Sequence, residues 1–177
     1  MELRRIKTPE DIEIVKSFFY KIFLDEYDYN LSHFRQSVTG KHPYKRLEYY
    51  IAYENNLAVG LSGVYANRTE ECWLGWFGIC PQYRGKGYAT TLLDLQLQMM
   101  KDYGYKICRL YTNHINNKEA VNLYLKKGFK KEAAYSKNLI IMSKSLYEGV
   151  IFSKWKGKPL GFVKEYTVNS DTQNRQE

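Results

Sequence analysis

A hydrophobic run that halts at a glycine-rich basic turn and restarts as a helix limits, more than any other feature, what this chain can fold into. The run is Cys72-Trp73-Leu74-Gly75-Trp76-Phe77-Gly78-Ile79, the turn is Cys80-Pro81-Gln82-Tyr83-Arg84-Gly85-Lys86-Gly87, and helical spacing resumes at Tyr88-Ala89. A strand feeding a helix through so short a turn aims the helix's free N–H groups, and the positive end of its dipole, at the strand's end. Gly85 and Gly87 lack the Cβ atoms that would hold an oxyanion away, while Arg84 and Lys86 add full charges. The turn predicts a phosphate site.

Patterning on either side predicts a mixed sheet. Residues 3–6 read as a strand, followed by Thr8 as an N-cap, Pro9 at the first helical position and acids at Glu10 and Asp11. Ile14, Val15, Phe18, Phe19, Ile22 and Phe23 then recur at three- and four-residue spacing, which marks an amphipathic helix. Residues 25–45 read as a polar, tyrosine-rich loop with a short helix at 31–37. β-rich runs at 48–53 and 57–66 flank Glu54-Asn55-Asn56, a tight hairpin signal because asparagine tolerates positive φ. A second turn at 67–70 leads into the strand at 72–79. Beyond the glycine turn, the helix at 88–103 has one polar stripe, Thr90, Asp94, Gln98 and Lys101, so most of its circumference must pack on a sheet. Gly104 closes it; a strand at 106–112, a helix at 117–127 ended by Gly128, and strands at 129–135 and 139–144 follow. After Tyr147 the pattern weakens to a further strand at 150–155, a turn at Gly157-Lys158-Pro159 and a polar, frayed tail at 169–177. The expected fold class is α/β in the broad α+β sense. It comprises one domain at 1–146, with antiparallel strands first and a strand–helix–strand–helix–strand section after, and an extension at 147–177.

Composition narrows the partners. A chain of 177 residues with 44% apolar content can bury one core, and it carries no apolar run of membrane-spanning length. Its charged, amphipathic start does not read as a signal peptide. Cys72, Cys80 and Cys108 form an odd set without a CxxC, and His33, His42 and His114 are scattered. That usage predicts a reducing, cytoplasmic setting and no metal. The net charge of +8 suits either nucleic acid or a small polyanionic cofactor. The basic residues are dispersed and no RNA-binding motif is present, so the cofactor ranks ahead. Two nucleotide motifs fail on inspection: no lysine stands in a Walker A context, and Gly85-Lys86-Gly87-Tyr88-Ala89-Thr90 misses the third glycine of the dinucleotide fingerprint. The acid that fingerprint needs is also missing from Arg109-Leu110-Tyr111-Thr112-Asn113-His114.

A second block completes the pattern. Asn117, Ala120, Leu123, Tyr124, Gly128 and Phe129 match Asn-x-x-Ala-x-x-Leu-Tyr-x-x-x-Gly-Phe, while Gln82, Gly85 and Gly87 match Gln/Arg-x-x-Gly-x-Gly/Ala after the hydrophobic-x-Pro segment Ile79-Cys80-Pro81. In these two blocks, at this separation, the chain resembles the GNAT superfamily of N-acetyltransferases over roughly residues 3–146. The resemblance implies a mostly antiparallel central sheet flanked by helices, whose splayed central strand pair binds acetyl-CoA, and transfer of the acetyl group to an amine. It implies that the strand edge around Ile79 and Cys80 pairs with the pantetheine arm. The backbone of Arg84, Gly85, Lys86, Gly87, Tyr88 and Ala89, preceded by Gln82, would hold the pyrophosphate, and Asn117 would hydrogen-bond the cofactor. Tyr124 matches the position of the group that protonates the leaving thiolate. The base is open: Glu71 is the candidate, with Glu70 and Glu48 beside it, and no carboxylate lies between Trp73 and Ile79. Asp25, Glu26 and Asp28, with Tyr27 and Tyr29, could receive a cationic amine. Expected partners are a small-molecule or peptide amine, without membrane or nucleic acid, and a homodimer stays open. A non-catalytic acyl-CoA sensor of the same fold is the alternative.

Overall fold

The computed structural model describes residues 1–23 and 31–161. In order, the elements are β1 (Glu2–Arg5), α1 (Pro9–Ile22), α2 (Ser32–Thr39), β2 (Arg46–Glu54), β3 (Leu57–Ala66), β4 (Glu71–Ile79), a 3-10 turn (Pro81–Tyr83), α3 (Tyr88–Asp102), β5 (Ile107–Asn113), α4 (Lys118–Lys126), β6 (Lys130–Ala134) and β7 (Leu139–Ser145). Local chemistry explains the early boundaries. Thr8 and Asp11 form a reciprocal capping box: Thr8 Oγ1 accepts from the Asp11 amide at 3.3 Å, and the Asp11 carboxylate accepts from the Thr8 amide at 3.0 Å. Asn55 and Asn56 take φ of +48° and +63° and turn β2 back into β3.

The strands make one sheet in the order β1-β2-β3-β4-β5-β7-β6, antiparallel except where β4 meets β5. On one face, Leu93, Leu97 and Met100 of α3 and Val121 and Tyr124 of α4 pack over Val64, Leu74, Cys108 and Met142. On the other, Val15, Phe18 and Phe19 of α1 and Phe34 of α2 cover Tyr49, Leu61, Trp73 and Ile141. The apolar circumference expected of α3 includes one polar insertion, because Gln96 is fully buried and its Oε1 accepts from Ser62 Oγ at 2.8 Å, pinning helix to strand.

Two departures position the site. Leu61 pairs with Gly78 and Gly63 with Gly75, so Trp76 and Phe77 together oppose Ser62 in a β-bulge. Trp76 takes φ of +39° there, its ring held by Phe19 and Phe23 at 5.2 and 5.1 Å. The second departure is the segment at 150–155, which is irregular and not the strand expected of it. Its backbone bonds to side chains instead: Ser153 O accepts from Arg109 at 2.9 Å, and the Trp155 amide donates to Glu132 at 3.2 Å. Residues 25–29, expected to meet a cationic amine, and the tail at 169–177 lie outside the described residues.

Candidate active site

β4 and β5 run parallel for only three residue pairs, Glu71 with Ile107, Cys72 with Cys108 and Trp73 with Arg109. Beyond Trp73 the strands part, so among the described residues the β5-facing edge of β4 from Leu74 to Ile79 pairs with no strand. Backbone N–H and C=O groups on such an edge demand partners, and an extended ligand arm can supply them. The edge runs out at Ile79 and Cys80, beside the glycine turn. Cys80 is buried, its amide donating to Val59 O at 2.8 Å, and burial raises its thiol pKa; it packs and anchors.

The turn itself is open. Gly85 and Gly87 have φ of +76° and +78°, and a Cβ added at either would meet nothing within 4 Å. Gly87 is the N-cap of α3 without any side-chain cap, no acid occupies the first turn, and the first helical bond is Thr91 N–H to Gly87 O at 3.2 Å. The amides of Tyr88, Ala89 and Thr90 therefore precede the helical ladder and face a space that suits an anionic diphosphate. Arg84 Nε donates to Ile79 O at 3.0 Å and braces the turn, keeping its charge there. Lys86 Nζ stands 5.9 Å from the centre of the Tyr83 ring, and Gln82 is exposed on the 3-10 turn.

Across the split, Asn117 caps α4 while its Nδ2 reaches Thr112 Oγ1 at 3.4 Å, at the end of β5. Tyr124 on α4 lies beneath the same opening, its ring 6.0 Å from that of Phe77 on β4. Burial pushes its phenol well above the ordinary tyrosine value, so it can donate a hydrogen bond but resists losing its proton.

The three carboxylates considered as bases are all engaged elsewhere. Glu71 is buried, its Oε2 3.0 Å from Arg109 Nε, at the end of β4 about 25 Å along the strand from the turn. Glu70 pairs with Lys106. Burial alone would raise the Glu48 pKa, but hydrogen bonds from Tyr50 and Tyr103 and the charges of Arg46 and Arg5 outweigh it and hold the carboxyl below its ordinary value. Sequence reasoning passed over Arg109, a buried guanidinium between Glu71 and Glu132, and also His33 and Tyr49 on the far side of the sheet.

Residues 12–129 match the model of the acetyltransferase (GNAT) family. The chain belongs to that family. The GNAT fold is visible in solved structures too. A Desulfovibrio desulfuricans protein described as a GNAT-family acetyltransferase superposes with a TM-score of 0.72 at 16% identity, over 82% of this chain and 99% of that one. A spermidine N-acetyltransferase chimera from Vibrio cholerae gives 0.65 at 17%, over 82% and 97%. A Campylobacter jejuni N-acetyltransferase in complex with acetyl coenzyme A gives 0.60 at 13%, over 81% and 97%. Identities this low show the shared fold alone. No curated protein matches at the level of sequence. Among the described residues no helix is long and apolar enough to cross a membrane, and no group of three His, Cys, Asp or Glu gathers to hold a metal.

Proposed function

We propose that this GNAT protein transfers an acetyl group from acetyl-CoA to a primary amine of a small molecule or peptide, by direct attack within a ternary complex. One observation carries the reading: an unpaired strand edge leads straight into a turn whose two positive-φ glycines face open space beneath uncapped helical amides. The edge at Ile79 and Cys80 holds the extended arm, and the amides from Gly85 to Ala89 take the diphosphate with Lys86 adding charge. Asn117 stands at the α4 N-terminus with an amide to offer. When bound, the thioester supplies the activated acyl group. Tyr124 then steadies the departing sulfur by hydrogen bonding rather than by surrendering its proton, because its burial makes full transfer strongly uphill. The three buried, unpaired cysteines suit a reducing compartment, in keeping with a cytoplasmic enzyme.

Calorimetric titration with acetyl-CoA, using NADH and a short RNA as counter-ligands, tests the first half. Selective micromolar binding is expected; none would refute the reading of the turn. Thiol release with a panel of amines tests the second half, and binding without turnover on any amine would favour an acyl-CoA sensor.

A further inference from the structure

Acetyl transfer to an amine needs a group that accepts the nitrogen's proton, and the described carboxylates near β4 are engaged in ion pairs and hydrogen bonds. The opposite face of the split offers another group. Tyr49, in the middle of β2, is buried to 1% exposure, and a Cβ at Gly75 would meet the Tyr65 ring at 3.1 Å and the Tyr49 hydroxyl at 3.4 Å. Gly75 is the second residue past Trp73, where β4 leaves β5. The Tyr49 hydroxyl in turn lies 3.5 Å from Nδ1 of His33 on α2. No shorter hydrogen bond ties down this hydroxyl among the described residues, although burying such a group without a firm partner costs about 1–3 kcal/mol. A contact at the long limit of hydrogen bonding is common in catalytic networks before substrate tightens them.

His33 also borders open space. With Tyr44, Trp155, Leu160 and Gly161 it lines a cavity of about 360 Å³ on the α1/α2 face of the sheet. The segment at 155–161 forms the cavity's outer wall and is held in place from both sides of the split. Tyr65 Oη of β3 donates to Leu160 O at 2.8 Å, Tyr111 Oη of β5 reaches Gly161 O at 3.5 Å, and the Trp155 ring stands 4.9 Å from that of Trp73. The Tyr49 hydroxyl thus stands between the β4 backbone at Gly75 and His33, which borders the cavity.

We propose that the acceptor amine occupies this cavity and that His33 accepts its proton during acetyl transfer, directly or through the Tyr49 hydroxyl. The proposal rests on the acetyltransferase reading above. The amine nitrogen forms its bond to the acetyl carbon and loses one proton to the His33 imidazole; the carbon–sulfur bond breaks and the thiolate leaves with the electron pair. His33 then returns its proton to solvent through the cavity. Among the described residues, the titratable groups around His33 are Tyr49 from β2, Tyr44 from the loop before β2, with its ring 6.5 Å away, His42 beyond Tyr44, and Lys158 across the cavity, while Tyr65 of β3 and Tyr111 of β5 bear on the Tyr49 hydroxyl. Burial lowers the His33 pKa and raises those of Tyr49 and Tyr44, so at pH 7 the imidazole is neutral, with a free lone pair, and both phenols keep their protons.

The test uses the full chain with spermidine, tyramine and an alanine-initiated tripeptide as acceptors. For the best of these, log(kcat/KM) of the native protein should rise with slope two at pH values below the His33 pKa, where both amine and imidazole must lose a proton, and slope one above it. His33→Gln should show slope one throughout and a rate at pH 7.5 about a hundredfold or more lower, with calorimetric affinity for acetyl-CoA kept within twofold. Tyr49→Phe, which keeps the ring and its packing, should lower kcat while leaving the KM for acetyl-CoA unchanged. A His33→Gln protein with native rate and an unaltered pH profile would overturn the role of His33 and leave the acetyltransferase reading standing. A lower rate with the break in slope retained would also overturn it, since His33 would then only support structure. Acetyl-CoA binding by the native protein without acetylation of any acceptor would overturn both.

Discussion

The two ends of the β4–β5 pair are opposites. At the N-terminal end of β4, three residue pairs are closed and clamped by Arg109, which meets Glu71 and Glu132, binds Ser153 O and faces the rings of Phe152 and Trp155. At the other end the same strands part around a bulge, an unpaired edge and two glycines over open space. A sheet gains by pairing its edges and partnering its buried charges, and at the clamped end both are done. The separation teaches that opening one end is tolerable because the other is held so firmly. Glu71, on the same strand as the cleft, pairs with Arg109 at the clamped end.

That division can be attacked from both ends. The largest effect is expected from Gly87→Glu, which places a carboxylate in the anion turn at a φ of +78° that side chains resist; calorimetry should find acetyl-CoA binding abolished while the melting temperature changes modestly. Retained affinity would mean that the open end is not the cofactor site. Arg109→Ala should do the reverse. Leaving Glu71 and Glu132 buried without their cation should cost about 3–5 kcal/mol in chemical denaturation, while acetyl-CoA affinity of the folded fraction stays near native. Tyr124→Phe, back at the open end, should slow turnover about tenfold to a hundredfold, the worth of one hydrogen bond to a charged group, with cofactor affinity unchanged. An unaltered rate would remove Tyr124 from the mechanism. The smallest effect belongs to Gly85→Ala. A methyl there meets no neighbour, so only left-handed strain remains, about 1–2 kcal/mol of stability, and binding of acetyl-CoA should weaken less than tenfold.

Features whose cause lies within a few residues could be read directly from the chain. Thr8 and Asp11 cap α1 through bonds spanning three residues, Asn55-Asn56 turns a hairpin by its own backbone preference, and Gly85-Lys86-Gly87 opens a turn because two Cβ atoms are missing. The strand expected at 150–155 failed for a related reason. β-Branched and aromatic residues, Val150, Ile151, Phe152 and Trp155, mark a segment whose backbone wants partners, but do not say whether a strand or the Arg109 and Glu132 side chains will provide them. Trp76 carries no local sign of its positive φ, since the bulge arises from a register mismatch between β3 and β4.

The sequence by itself determined the order of elements, the glycine turn and the two motif blocks that mark the GNAT family, because these depend on local propensity and short spacings. Tertiary structure alone decided which acids were consumed and which polar groups met. Glu71 found Arg109 thirty-eight positions away, across a parallel pair. His33 met Tyr49 only once α2 had packed on β2, and the Tyr49 hydroxyl reached Gly75 only because β3 carries Gly63 opposite Tyr49 and brings Gly75 alongside. Such encounters follow from sheet order and register, which are set by burial across the whole chain rather than by any segment of it.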